Sequence, residues 1–516
     1  MPVPLPGRLA PYDVALGYHP FVDHRYLHAG QARWMNAVGE RPSFWSPNPA
    51  RAHLMAAHAA VPSGIELRGQ TADTSAPFLT AAEPWEHWLV DSALTVIRDA
   101  GRYRLWYEAA PPDLFDGLEE GDRAWRGSYG VYLAYAESDD GATWRRPALG
   151  LVDWNGSTRN NLVIGRQNAG PGGLVGAGVF LDPTAPASER YKAVFQAHLT
   201  DAEAAQAASA DPASAQHRPP VGMRLATSPD GLRWHVRPEP LAVYFSDTGN
   251  VAEWDPVLGQ YVWYARGWCW GRRTIARAAT DDLRRCPLPM PFAAQSPVDP
   301  ATHDIYTNAK TTYPGDPSTH LMFPTLYDRS RDSTRVVAGA SADNVEWGWI
   351  PGAPCLEPGP AGALDSGCVF AGTGMVELPG DRVAIPYLGY HVGHKHMPAG
   401  PTGCIAWATW PRGRLAGLVA RAAGEFWTPP LRLHGARLGL NLRTEPGGSV
   451  RIGVTDGDFT ALDGFTVEHA RPIAGDQHAA PVTWGGHERL PVTADRPLAL
   501  HVRLDRATIF GFEVAA

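Results

Sequence analysis

The chain has 516 residues, a formal net charge of −8, and 44% hydrophobic against 19% charged residues. That length allows two or three domains around a large core, and an acidic balance without a basic block excludes a nucleic-acid partner, whose phosphates need clustered Lys and Arg. The five cysteines (Cys269, Cys286, Cys355, Cys368 and Cys404) are odd in number, widely spaced and without a CxxC pair. A disulfide framework and a standard zinc site are therefore not expected, and a reducing cytoplasm is the expected location.

The N-terminus, MPVPLPGRLAPYDVALGYHP, shows no basic region followed by an apolar stretch, and no window approaches 18 uninterrupted apolar residues. Neither a leader nor a membrane span is expected. The 54 Gly, 48 Pro and 19 Trp suit an all-β protein with many turns and flat aromatic surfaces that fit sugar rings. Residues 1–80, with FVDHRYLHAG, are expected to lend a strand to a distal sheet and then wrap the central domain.

From residue 81 a unit recurs: an Asp opens an apolar run, a tight turn follows, then a Tyr-rich strand. The copies begin at Asp91, Asp182, Asp247, Asp304 and Asp365, with the fourth the loosest. A second element follows four of them: SDDGATW from Ser138, SPDGLRW from Ser228, TDDLRR from Thr280 and SADNVEW from Ser341. Its Asp and Gly suit a tight turn at the outer hairpin of a four-stranded unit. Units of this length predict a five-bladed β-propeller over residues 81–412. A short Ala-rich stretch, 201–210, reads as a helix or an insert. Residues 413–516 alternate without a long helix, which predicts a C-terminal β-sandwich. A free sandwich edge would leave room for a homo-oligomer.

Innermost propeller strands surround one axis, so residues that open them face one another. Here those residues are aspartates. Close carboxylates push one another's pKa apart, the requirement for one acid and one base at a glycosidic bond. Each Asp has an equally ordinary alternative as a turn cap.

Asp91 opening a strand that ends in GRYRLWY resembles the first-blade signature of the five-bladed furanosidase clan, the invertase-like and arabinanase-like glycoside hydrolases. That resemblance implies a base or nucleophile at Asp91. It implies a transition-state stabiliser at Asp182, followed by Pro183 in VFLDP, and a general acid at Asp247 in YFSDTGN or at Glu253. The invertase WMNDPNG and Glu-Cys motifs are absent. FVDHRYL, PWEHW, ESDDGATW and NGSTRNN also resemble a bacterial invertase-like group over nearly the whole chain.

Other residues are candidates for a sugar pocket. Trp85, Glu86, His87 and Trp88 precede Asp91 and form either a rim or a hydrophobic wedge. Trp268, Trp270, Arg272 and Arg273 follow a blade-three strand, where the arginines are anion ligands or solvated surface. Arg159 and Asn160 form a hydroxyl-binding edge or a loop brace, and Tyr306 sits on the fourth inner strand. His391, His394 and His396 lie within six residues but match no standard zinc spacing; a histidine that hydrogen-bonds substrate is the stronger reading. No metal or cofactor is called for, and the expected partner is a small carbohydrate. The leading expectation is a glycoside hydrolase, against a phosphorylase or transglycosidase on the same scaffold, or a sugar-binding protein without turnover.

Overall fold

The computed structural model describes residues 11–28, 62–116, 130–169, 173–293, 300–396, 400–492 and 496–516. The protein is nearly all β; its described α-helix is Asp201–Gln206, started by a capping box between Thr200 and Glu203. The chain divides into two compact units. The larger is Thr71–Trp349 with Ala353–Arg412; the smaller is Met1–Gln70 with Ile350–Gly352 and Gly413–Ala516.

In the larger unit the repeats become antiparallel sheets whose strands follow chain order. The first holds Trp88–Asp99, Arg102–Ala110, Tyr132–Ser138 and Leu162–Ile164. The second holds Val175–Leu181, Tyr191–His198, Val221–Ser228 and His235–Val236. The third holds Val251–Asp255, Gln260–Cys269, Arg272–Thr280 and Met290–Pro291. Alternating buried residues on these strands fill the space between sheets with Trp, Tyr and Val, each burial contributing roughly 1.5–3 kcal/mol.

The loosest sequence copy has a structural reason. Its strands form two ladders rather than one: His303–Thr307 pairs in the first and Lys310–Thr312 in the second. Ala309 between them has φ +42°, a left-handed conformation that interrupts a strand. The next sheet is built on Arg382–Tyr390 and Cys404–Pro411. Its outermost strands, Asp73–Thr74 and Leu79–Thr80, come from before the first sheet. The start and end of the unit are thereby stitched together.

Hydrogen bonds link each innermost strand to the next. Val179 N–H reaches Thr95 Oγ1, Asn250 Nδ2 donates to Gly176 O, and Asn308 Nδ2 donates to Gly249 O. Met375 N–H then reaches Thr311 Oγ1, and Thr373 N–H returns to Leu94 O at 2.7 Å.

The repeated turns make a second set of links. In each of three, the Ser hydroxyl donates to the Asp carboxylate, which accepts two following backbone N–H groups. The next residue, Gly141, Gly231 or Asn344, has φ of +77°, +75° or +58°, which Gly and Asn tolerate best. A buried aromatic from a neighbouring sheet donates to that residue's carbonyl: Trp407 to Gly141, Trp106 to Gly231 and Tyr264 to Asn344, at 2.7, 2.8 and 3.0 Å.

The smaller unit carries one eight-stranded sheet. Its longest strands, Arg437–Asp456 and Leu498–Ala515, pair along nearly their whole length with register shifts after Asn441 and Thr444. Tyr12–Val14, Gly17–Pro20 and Glu66–Gly69 join this sheet from the beginning of the chain. Residues 1–10 and 29–61 of the wrapping segment read from the sequence lie outside the described residues. No described helix is long and apolar enough to cross a membrane.

Trp106 is 1% exposed and donates to a neighbouring sheet. Its replacement by Ala is expected to cost about 3–5 kcal/mol, through the cavity left behind and the orphaned Gly231 carbonyl. A urea titration followed by circular dichroism checks this.

Candidate active site

Two strand irregularities place the central side chains. In the first sheet the register shifts between Val90 and Leu94, so residues 91–93 bulge out of the ladder at the start of the inner strand. In the fourth, a shift between Ile305 and Thr307 does the same to Tyr306. A bulge re-aims a side chain that regular pleating would send sideways. The third contribution is the loop Ser246–Asn250. Gln196 Oε1 accepts from Ser246 N–H, Ser246 Oγ accepts from Arg266 N–H, and Asn250 donates to both Ser246 O and Gly176 O. This brace presents Asp247.

These elements bring together Asp91, Asp247, Arg266, Tyr306 and His394. The Arg266 guanidinium, whose side chain is 1% exposed, forms an ion pair with Asp247 and lies 4.4 Å from the Tyr306 ring centroid. Its Nη2 also donates to Tyr306 O at 3.2 Å. Tyr306 Oη and His394 Nε2 are 2.8 Å apart, and His394 Nδ1 lies 3.8 Å from Asp91 Oδ1. Tyr390 Oη, held by Leu89 O, stands 3.5 Å from the same carboxylate oxygen. Arg273 pairs with Asp304 at 2.7 Å and lies 5.3 Å from the Tyr306 ring centroid, and Lys395 Nζ lies 5.8 Å from it.

The two carboxylates have unlike surroundings. Burial pushes the Asp91 pKa up, and the charge of Asp247 adds to that rise against the pull of Lys395 and Arg266. Asp247 instead holds a guanidinium as its direct counter-ion. Burial drives His394 well below its ordinary value, with Lys395, Arg266 and Arg273 acting in the same direction. Burial also raises the Tyr306 phenol. A phenol that keeps its proton donates to Nε2, so the neutral imidazole carries its hydrogen on Nδ1, the atom facing Asp91. That nitrogen has no hydrogen-bond partner among the described residues. Tyr306 and His394 are thus hydrogen-bonded to each other, and the His394 Nδ1–H faces the desolvated Asp91 carboxyl across 3.8 Å, too far for a hydrogen bond.

Several residues singled out in the sequence fall elsewhere. Asp182 does not open an inner strand: it follows Val175–Leu181, at the opposite end from Asp91. Lys192, Tyr261 and Thr184 occupy its carboxylate, at 2.6, 2.6 and 2.7 Å. Glu253 lies within Val251–Asp255, also toward that end, ion-paired with Lys310. Asp304 is fully buried against Arg273, and Asp365 accepts from Tyr387 Oη at 2.9 Å.

The PWEHW segment is mostly wedge. Trp85 donates to Asn161 and packs edge-on against Trp154. Glu86, fully buried, binds Tyr107, Arg146 and two backbone N–H groups. His87 lies against Phe115. Trp88 donates to Tyr390 Oη at 2.7 Å, which places it directly behind Asp91. Asn160 braces its own loop through Val152 O and Ser157 O, while Arg159 is exposed. Arg272 donates to the carbonyls of His303 and Pro300. Trp270, 97% exposed with φ +49°, is a hairpin tip, and Trp268 carries the Arg273 guanidinium 5.0 Å from its ring centroid. His391 is exposed.

Sequence reasoning missed Arg266, Lys395 and Tyr390. Arg266 and Tyr390 lie on the strands Gln260–Cys269 and Arg382–Tyr390, and Lys395 is in the turn next to His394. Arg266 and Lys395 stand close in sequence to residues the sequence had singled out, which was the signal available.

No family model matches the chain, and no curated protein matches it. Similar solved structures include an N-acetylgalactosamine deacetylase from F. plautii in complex with blood group B trisaccharide, 13% identical over 68% of this chain and 96% of that one, with a TM-score of 0.42. A β-1,2-mannobiose phosphorylase from Listeria innocua is 15% identical over 68% and 91%, with a TM-score of 0.40. A fructofuranosidase from Schwanniomyces occidentalis is 10% identical over 86% and 99%, with a TM-score of 0.36.

A raised Asp91 pKa has a stability consequence. Its favourable contribution is complete below the unfolded value of 3.8 and is lost as pH rises through the higher folded value. Asp91→Asn is therefore expected to raise the melting temperature at pH 7, with the gain vanishing near pH 3. Melting curves of both proteins across that range test the sign.

Proposed function

We propose that the chain is a glycoside-processing enzyme, in the first instance a hydrolase that releases a terminal sugar. On this reading the larger unit is a five-bladed β-propeller and the smaller unit a β-sandwich. The observation that carries the reading is the pair Asp91 and Asp247: two carboxylates around one guanidinium, one desolvated with a raised pKa, the other ion-paired. Unlike environments for two carboxyls are what acid–base cleavage of an acetal requires.

The roles then differ from those the family resemblance implies. Asp91, whose environment favours the protonated form, gives its proton to the leaving glycosidic oxygen as the C–O bond breaks. Asp247 acts from the charged form, on a water or on the anomeric carbon. His394 and Tyr306 are positioning residues that line the Asp91 carboxyl and keep water from it. Asp182 and Glu253 take no part, because both are committed at the other end of the inner strands.

A second reading, phosphorolysis, has one observation in its favour. Arg266, Arg273 and Lys395 gather around the Tyr306 ring, and such a cluster suits an incoming phosphate in place of water.

Release of reducing sugar from a panel of alkyl glycosides and disaccharides, pyranoside and furanoside, with and without inorganic phosphate, tests both readings. Asp91→Asn is expected to lower kcat by about 10²–10⁴-fold with binding retained. Turnover that requires phosphate selects phosphorolysis. Wild-type turnover in Asp91→Asn, or none on any glycoside in the native protein, overturns the proposal.

A further inference from the structure

The inner strands have a second end, which the proposed chemistry leaves unused. There the larger unit carries an open cleft of about 740 Å³, lined by Ile97, Asp182, Glu253, Trp254, Thr312 and Val376 among others. From Asp91 to Ile97 is six strand residues, about 20 Å at roughly 3.3 Å each. Between the two ends the space narrows to about 20 Å³, lined by Asp91, Gly178, Gly249 and Gly372, room for about one water. Gly178 shows how tight this neck is: a Cβ there would lie 1.7 Å from Asn250 O. The cleft is thus separate from the space beside Asp91.

Its ionic groups are compensated in place. Asp182 binds Lys192 at 2.6 Å. Lys310, fully buried, pairs with Glu253 and contacts Thr312 Oγ1 at 3.2 Å and His320 Nδ1 at 3.3 Å. Asp255 accepts from Asn344 at 2.8 Å. Glu253, Asp255 and His320 stand within 4.8 Å of one another, as ligands of a metal would. The Lys310 ammonium touches two of those three groups and already supplies the positive charge such a cluster needs. With Lys310 in the place a metal would take, the cleft offers no ready cation site at this cluster.

It does offer hydrogen-bonding capacity beside an aromatic ring. Glu253 spends Oε1 on Lys310 and Asn344, and Oε2 has no hydrogen bond among the described residues. The half-buried Trp254 stands edge-on to Tyr261, with ring centroids 5.0 Å apart, and lines the cleft. Paired ions that accept and donate hydrogen bonds, next to an indole, match a ligand with many hydroxyls and an apolar ring face.

We propose that this cleft is a second binding site, for a small neutral sugar, distinct from the Asp91 site and without catalysis. The site does not depend on the chemistry proposed above.

Calorimetric titration of the full chain with glucose, galactose, mannose, fructose and arabinose tests it. At least one sugar is expected to bind to Asp91→Asn as to the native protein. The same sugar should bind at least about tenfold more weakly to Trp254→Ala, and Trp254→Phe should restore most of the affinity. Thr312→Val, which leaves the Lys310–Glu253 pair in place, provides the readout if Trp254→Ala does not fold, and should weaken the same sugar by a similar factor. Binding kept at native strength in both Trp254→Ala and Thr312→Val would place the sugar elsewhere and overturn the proposal, as would no binding by any of the five.

Discussion

The hydrogen bond from a buried aromatic to the carbonyl of a left-handed turn residue is the contact on which the larger unit depends. Each sheet is apolar on both faces and cannot be stable alone, so it must pack on its neighbours at a fixed angle. Apolar packing is non-directional and does not fix that angle. The Trp106–Gly231, Trp407–Gly141 and Tyr264–Asn344 bonds do, because each joins a core ring to one atom of a neighbouring sheet. A carbonyl buried there without its donor would cost about 1–3 kcal/mol, so a slipped sheet is penalised at once.

Fixed sheets allow departures from regular pairing at their inner edges. The bulges at residues 91–93 and at Tyr306 leave backbone groups outside the ladder, and their cost is borne by the packed strands behind them. The result is a carboxyl taken out of water beside a second carboxyl that keeps its counter-ion. The same strands, read at their far end, gather two lysine–carboxylate ion pairs around a cleft instead. One scaffold thereby holds a desolvated carboxyl at one end and lysine-paired carboxylates at the other, with glycines lining the space between them.

Much of this was legible in the sequence. The repeat starting at Asp91 and the SxDG turns foretold four-stranded sheets and the positions of their hairpins, because turn chemistry and strand alternation are local. Asp91, Asp247, Arg273, Tyr306 and His394 were singled out and do meet. Asp182 looked like a counterpart of Asp91 because both adjoin an apolar run, but Asp91 lies near the start of its strand and Asp182 follows the end of its own. Composition cannot tell the two ends of a strand apart. PWEHW read as either a sugar rim or a hydrophobic wedge, and the wedge prevails, with Glu86 fully buried against Arg146, since the same aromatics serve a core or a surface equally well.

The sequence by itself determined the periodicity, the turn geometry and the residue types available for chemistry, since each of these depends on neighbours a few positions apart. Only the tertiary structure decided which aspartates share a site, which are neutralised by lysine, and that Arg266 and Lys395 belong beside Asp91. Those outcomes depend on burial and on charges brought together from different sheets. Desolvation in particular is a property of everything packed around a group, and no stretch of chain carries it alone.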